Sequence, residues 1–243
     1  MNLLHRPVCD LLGCDYPIVL AGMGGVARSE LVNAVNDAGG FGFLGMVREP
    51  VALIRAEVER VRRHGDHRFG VNLIPAATPA DLLAAQIDAC IELRVPVIAL
   101  FWDVSRALIE RLRGAGITVV CQVGSLAEAQ AAEQAGAQIV IAQGVQAGGH
   151  VRATEPLETW LADAAHALSV PLLASGGIVD GHGMASMMAL GAQGVVVGTA
   201  FIATHEAFAH DYHKQRLVAA RSDDAILSDA FHINWPLHAP VRV

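Results

Sequence analysis

The stretch "AGAQIVIAQG" (135–144) returns as "LGAQGVVVGT" (190–199), and "DAGGFGFLG" (37–45) has the same build. In each, glycine closes a helical stretch and a short run of branched apolar residues follows at once. A unit that recurs in this way predicts successive βα repeats with parallel strands. Working outward, the strands are "PIVLA" (17–21), "FGFLG" (41–45), "FGVNLI" (69–74), "VIALF" (97–101), "TVVCQV" (118–123), "QIVIA" (138–142), "PLLAS" (171–175) and "GVVVG" (194–198). Between and after them the pattern predicts helices over Ser29–Ala38, Pro50–His64, Pro79–Leu93, Ser105–Arg113, Ser125–Ala135, Pro156–Leu168, Gly181–Leu190 and His205–Ala220. Several open on Ser, or on Pro in the first turn, where a hydroxyl caps and the missing N–H costs nothing.

A doubly wound open sheet also repeats βα. Eight strands in 243 residues favour closure, since a barrel of this kind needs ~250 residues. The expected fold is therefore α/β: a parallel eight-stranded (β/α)8 TIM barrel over residues 1–220, followed by an irregular carboxyl-terminal arm over 221–243. The chain is 53% hydrophobic and 17% charged, which suits strands covered on both faces.

Composition also narrows the function. No apolar run approaches the ~18 residues of a membrane span, and the start lacks the plan of a secretion signal, so a cytoplasmic protein is expected. A net charge of −7 with a single lysine gives no basic stripe for nucleic acid. The four cysteines form no C-x-x-C pair and read as free thiols. "HEAFAH" (205–210) has the wrong spacing for a zinc-protease helix, and His210 with His213 lacks a third ligand, so no metal is expected.

In such a barrel chemistry sits where the strands end. "AQGVQAGGHVR" (142–152) follows the sixth strand, "SGG" (175–177) the seventh and "GT" (198–199) the eighth. Glycines here either close tight turns or bring a phosphorylated ligand against backbone N–H groups, and their number at one face favours the second reading. His150 ends the "AGGH" element without a neighbouring carboxylate or cysteine. It reads as a structural imidazole or as a group that moves a proton near neutral pH, and the space that Gly148 and Gly149 open favours the latter. Asn72 and Gln122 fall inside strands, where a heterocycle, interior water or backbone would have to satisfy them.

"PIVLAGMGG", "NDAGGFGFLG", "FGVNLI", "AQGVQAGGHVR", "PLLASGGIVDG" and "LGAQGVVVGTAFIATHEA" together closely resemble the nitronate monooxygenases, formerly called 2-nitropropane dioxygenases, over nearly the whole chain. The resemblance implies a TIM barrel with non-covalent FMN that oxidises alkyl nitronates with O2 to carbonyl compound and nitrite. It implies that Ala21, Gly22 and Met23 lie along the isoalloxazine and that Asn72 and Gln122 touch its polar edges. Gly148 and Gly149 would approach the flavin, while Ser175, Gly176, Gly177, Gly198 and Thr199 would bind its phosphate. His150 matches the family's proposed base, acting on a nitroalkane or orienting the nitronate.

Two positions and the carboxyl end depart from the family pattern. Gln146 replaces a common glutamate, Gln122 stands where some relatives carry lysine, and relatives continue beyond the equivalent of "WPLHAPVRV" into a helical segment of the substrate lid. The rival expectations are a flavin-dependent enoyl-acyl-carrier-protein reductase using NAD(P)H, a non-catalytic barrel that binds FMN or another phosphate ligand, and a flavin-free barrel isomerase or lyase.

Overall fold

The computed structural model describes residues 4–231, 235–236 and 239–243. In chain order the strands are β1 (Ile18–Leu20), β2 (Phe41–Gly45), β3 (Gly70–Leu73), β4 (Val97–Phe101), β5 (Thr118–Val123), β6 (Ile139–Gln143), β7 (Gly149–His150), β8 (Leu172–Ser175), β9 (Gly194–Val197), β10 (Leu227–Ser228) and β11 (Val241–Arg242). Eight of them close a parallel barrel in the order β1-β2-β3-β4-β5-β6-β8-β9, and Ile18 of β1 returns to pair with Val195 of β9. All eight coincide with the strands expected from the glycine-then-apolar repeat.

The helices are α1 (Pro7–Leu12), α2 (Ser29–Asp37), α3 (Val51–His64), α4 (Ala80–Glu92), α5 (Arg106–Gly114), α6 (Leu126–Ala135), α7 (Leu161–Ala167), α8 (Gly181–Ala189), α9 (Thr199–Ile202) and α10 (Asp211–Ala219). Ser105, Ser125 and Asp180 cap α5, α6 and α8 by accepting backbone N–H bonds. The expected helix over His205–Ala220 is corrected: α10 begins only at Asp211, and the His210 imidazole caps it by accepting from Tyr212 N. His205 and Glu206 thus lie outside that helix, and the metalloprotease-like spacing has no helical face to act on. Pro7–Leu12, which carried no expectation, is helical with proline in its first turn.

Every second strand residue points inward. Val19, Phe41, Phe43, Val97, Ala99, Val120, Ile139, Ile141, Leu173 and Val196 fill the barrel interior together with Val8, Cys9 and Leu12 of α1. The amino-terminal helix thereby plugs the amino end of the barrel, where Val8 N donates to Gln193 Oε1 at 3.1 Å. The intervening strand residues pack outward on the helices as a second, larger core. Followed towards the carboxyl ends, the inward rows change from apolar to polar, with Asn72 on β3, Gln122 on β5, Gln143 on β6 and Ser175 on β8. The carboxyl-terminal segment also has more order than expected: β10, β11 and β7 form a three-stranded antiparallel sheet that ties residues 227–228 and 241–242 to the loop after β6.

Candidate functional site

The loops after β6, β8 and β9 meet on one rim. A Cβ placed on Gly148 would lie 2.3 Å from Thr199 Oγ1, and one on Gly176 would lie 3.1 Å from Ala147 N. Gly176 and Gly177 have φ of 122° and 68°, the left-handed region in which glycine turns backbone amides outward without strain. Gly149, with φ 71°, faces open space. Ser175 pairs with Gln143 across β8 and β6, and its carbonyl accepts Gly144 N at 2.9 Å. Ser175–Gly177, Gly198–Thr199 and His150 therefore share one end of the barrel.

A second group adjoins the first. Gly198 lies so that an added Cβ would sit 3.5 Å from Ala21 Cβ and from Met23 Sδ, and one on Gly22 would collide with Asn72 Cβ at 2.2 Å. The chain after β1 thus runs between Asn72 and Gly198 with no room for a larger residue at position 22. Asn72 donates to the Ala99 carbonyl at 3.3 Å, so backbone satisfies part of its amide. Gln122 is half-buried between Phe101 of β4 and Ile141 of β6 in the polar inward row.

His150 is held by main chain and by a residue the sequence reading passed over. Gln143, buried at the end of β6, donates from Nε2 to His150 O at 3.1 Å and accepts Arg152 N at 2.8 Å. On the opposite edge, β7 pairs with β11, Val151 N donates to Pro240 O at 2.9 Å, and Arg242 reaches back to Val145 O. The imidazole stacks on Trp235 with ring centroids 3.4 Å apart and planes 13° from parallel. Burial, and then the Arg48 charge, lower its pKa to about 4 against a backbone hydrogen bond with Phe231 that works the other way. Its Nε2 is buried without a hydrogen-bond partner among the described residues. A neutral imidazole with one unengaged nitrogen is equipped to accept a proton.

Gln146, where many relatives carry glutamate, is engaged by the chain before α7. Its amide donates to Glu158 at 2.8 Å and accepts Leu157 N at 3.3 Å, tying the loop to the turn that precedes α7. A glutamate there would meet Glu158, a like charge, so this pairing explains the glutamine. Cys90 and Cys121 are buried and their thiols are pushed up to about 12 by desolvation, which makes them packing residues.

The nitronate monooxygenase family model matches residues 5–234. The chain belongs to the nitronate monooxygenase family. As a family member it is an oxidoreductase acting on small molecules. It is 32% identical to a probable nitronate monooxygenase of Staphylococcus haemolyticus, over 93% of this chain and 76% of that protein. Among solved structures it resembles FabK from Thermotoga maritima (TM-score 0.91, 33% identity, 98% of this chain and 74% of that one). It also resembles a nitroalkane oxidase from Streptomyces ansochromogenes (TM-score 0.84, 31% identity, 98% of this chain and 78% of that one). No helix among the described residues is long and apolar enough to cross a membrane.

Proposed function

We propose that this family member binds FMN at the carboxyl end of its barrel and oxidises alkyl nitronates, and nitroalkanes with the help of His150, consuming O2 and releasing carbonyl compound and nitrite. The observation that carries this reading is the contact of three glycine-rich loops, with Gly148 against Thr199 and Gly176 against Ala147, on the rim where the buried His150 Nε2 has no hydrogen-bond partner among the described residues. Such a surface suits a phosphate, because exposed amides at positive φ form an anion-binding concavity. The polar inward row suits the edges of a heterocycle.

In this reading Ser175, Gly176, Gly177, Gly198 and Thr199 hold the phosphate, and Ala21, Gly22 and Met23 lie along the ring. Asn72 and Gln122 hydrogen-bond its polar edges, and Gly148 and Gly149 permit close approach. FMN supplies the electron-accepting chemistry when bound. The protein supplies placement and proton transfer: His150, neutral through burial, takes the proton from the carbon next to a nitro group at Nε2, while Gln143 keeps the ring aimed. A nitronate has already lost that proton and needs only orientation.

The nitroalkane oxidase likeness supports this reading. The FabK likeness favours a second one, an enoyl-acyl-carrier-protein reductase that draws hydride from NAD(P)H on the same flavin site. Anaerobic mixing of the flavin-loaded protein with 2-nitropropane nitronate, and separately with NADPH, tests both. Rapid bleaching by the nitronate alone, with nitrite released on admitting air, is the expected result; bleaching by NADPH alone supports the reductase. A protein that is colourless and refuses FMN overturns both.

A further inference from the structure

Gln143 steadies His150 through backbone atoms, His150 O and Arg152 N. A ring held through its main chain still has χ2 to turn about, and that torsion is broad in histidine. The imidazole itself meets Trp235, whose indole lies flat on it with 3.4 Å between centroids and 13° between planes. The indole is seated in turn. It packs on the apolar cluster of Ile74, Ala77, Phe101, Trp102 and Ala239, and the Trp102 ring meets it edge-on at 5.5 Å and 70°. The Arg48 guanidinium lies 5.8 Å from its centroid, while Arg48 Nε donates to the Ala77 carbonyl.

Two residues at these contacts have unusual backbone. Arg48, in the loop after β2, has φ 55°, and Trp102, directly after β4, has φ 88°. A bulky aromatic in the left-handed region is an outlier that persists only where its surroundings over-determine it. Trp102 has such surroundings: it is 6% exposed, Phe101 meets it edge-on at 5.4 Å, and the Arg152 guanidinium lies 5.4 Å from its centroid. Arg152 is paired with Glu128 at 2.6 Å, and Glu128 also accepts Gly124 N at 2.8 Å.

An unbroken series of contacts therefore runs from Glu128 through Arg152, Trp102 and Trp235 to the imidazole. It draws on α6 and on the loops after β4, β5 and β6. Strain maintained by this many contacts marks a side chain whose direction matters. The strained turn at Trp102 sends its ring towards Trp235.

We infer that Trp235 and Trp102 are positioning residues for His150: Trp235 fixes the plane of the imidazole, and Trp102 braces Trp235 from its edge. An imidazole nitrogen accepts a proton along a lone pair in the plane of the ring, so that plane decides where the substrate carbon has to stand. Two flat rings in a stacked pair resist tilting out of their common orientation. The role in catalysis rests on the proposed reading of His150 as the proton acceptor for nitroalkanes; the stack does not.

The test joins a spectroscopic readout to a kinetic one. In protein labelled at its 11 histidines, the His150 ring protons are the resonances that His150→Asn removes. They are expected to stand upfield in wild type, displaced by the indole ring current, to lose that displacement in Trp235→Leu and to keep part of it in Trp235→Phe. The kcat for neutral nitroethane is expected to fall about 10-fold in Trp235→Leu, short of the ~100-fold of a full ångström's misplacement, with KM changed far less. The nitronate of nitroethane, which has no proton to give, should lose less, and Trp235→Phe should restore most of the loss. Trp102→Leu is expected to lower nitroethane kcat by about 3-fold and to add nothing to Trp235→Leu, because the two act in series.

His150 resonances that do not move between wild type and Trp235→Leu would overturn the inference. Equal losses for nitroethane and its nitronate would make the indole a structural residue only and overturn it too. Losses at Trp102 and Trp235 that multiply would remove Trp102 from the series. Where Trp235→Leu does not fold, Trp235→Phe decides: its smaller ring current should reduce the displacement, and an undiminished one would mean that the indole is not its source. Resonances that behave as expected in a protein that oxidises neither substrate would bear out the fixed ring plane and sink the proposed function.

Discussion

Gln143 and His150, seven residues apart, are joined so that one buried amide holds both sides of the imidazole-bearing residue: Nε2 on His150 O and Oε1 on Arg152 N. Replacing Gln143 with leucine leaves two backbone groups unpaired, at about 1–3 kcal/mol each where they stay buried. It also loosens the backbone that carries the ring. Misplacement of a catalytic group by an ångström costs on the order of 100-fold, so turnover of neutral nitroethane is expected to fall by about that factor in Gln143→Leu. Nitronate turnover falls far less, because no proton has to be removed. Steady-state assays with both substrates check this, and equal losses would show that Gln143 serves stability alone.

The same asymmetry is expected, more strongly, at the imidazole itself. His150→Asn keeps the shape of the loop and removes the proposed base, so nitroethane turnover is expected to drop by about 10²–10⁴-fold. FMN absorbance per protein chain should be unchanged. Unaltered nitroethane turnover would remove His150 from any proton-transfer role.

The barrel was legible in the sequence because each repeat carries its own signal: Gly136 and Gly191, in left-handed conformation, end α6 and the turn after α8, and β-branched runs follow. The glycine positions of the candidate site were legible for the same reason, as local departures from side-chain chemistry. Gln143 was readable in principle, since Ile139, Ile141 and Gln143 share one parity of β6 and only the last is polar. Arg48 and Trp235 were not. Their meeting spans 187 positions of the chain and depends on the left-handed turn at Arg48, which no glycine announces. The start of α10 was misplaced because His205–Ala220 is weakly amphipathic and its true cap is an imidazole, a residue seldom read as one.

Burial first, and the Arg48 charge second, lower the His150 pKa to about 4, below the ~6.5 of an ordinary histidine. Nitroalkane kcat/KM is therefore expected to hold nearly level from pH 8 down to about 5, where an ordinary histidine would be almost wholly protonated. Arg48→Met should move the acid limb upward part of the way, since burial remains. Stability follows the opposite preference of the unfolded chain. Between pH 6.5 and 4 the unfolded histidine binds a proton that the folded one refuses, so the folded state loses ground as pH falls through that window and stops losing it below about 4. Melting temperatures of wild type and His150→Asn measured from pH 8 to 4 should diverge there, with the wild type falling faster; parallel curves would show that the imidazole titrates normally.

The contact of Gly148 with Thr199 couples two loops that are 51 residues apart in sequence, and it can be tested as a unit. A Cβ at position 148 would stand 2.3 Å from Thr199 Oγ1, but the hydroxyl ends a short side chain that can rotate away. Gly148→Ala is therefore expected to spare the fold and to turn Thr199 out of any phosphate site. If Thr199 binds the FMN phosphate, Gly148→Ala and Thr199→Ala should each weaken FMN binding by about 10-fold, a typical loss for a charge-assisted hydrogen bond. The double variant should be no worse than either single one, because the first change has already removed what the second deletes. Fluorescence titration of the apoprotein with FMN measures all four affinities. Losses that simply multiply would mean that Gly148 meets the cofactor on its own account and that Thr199 is not the group through which it acts.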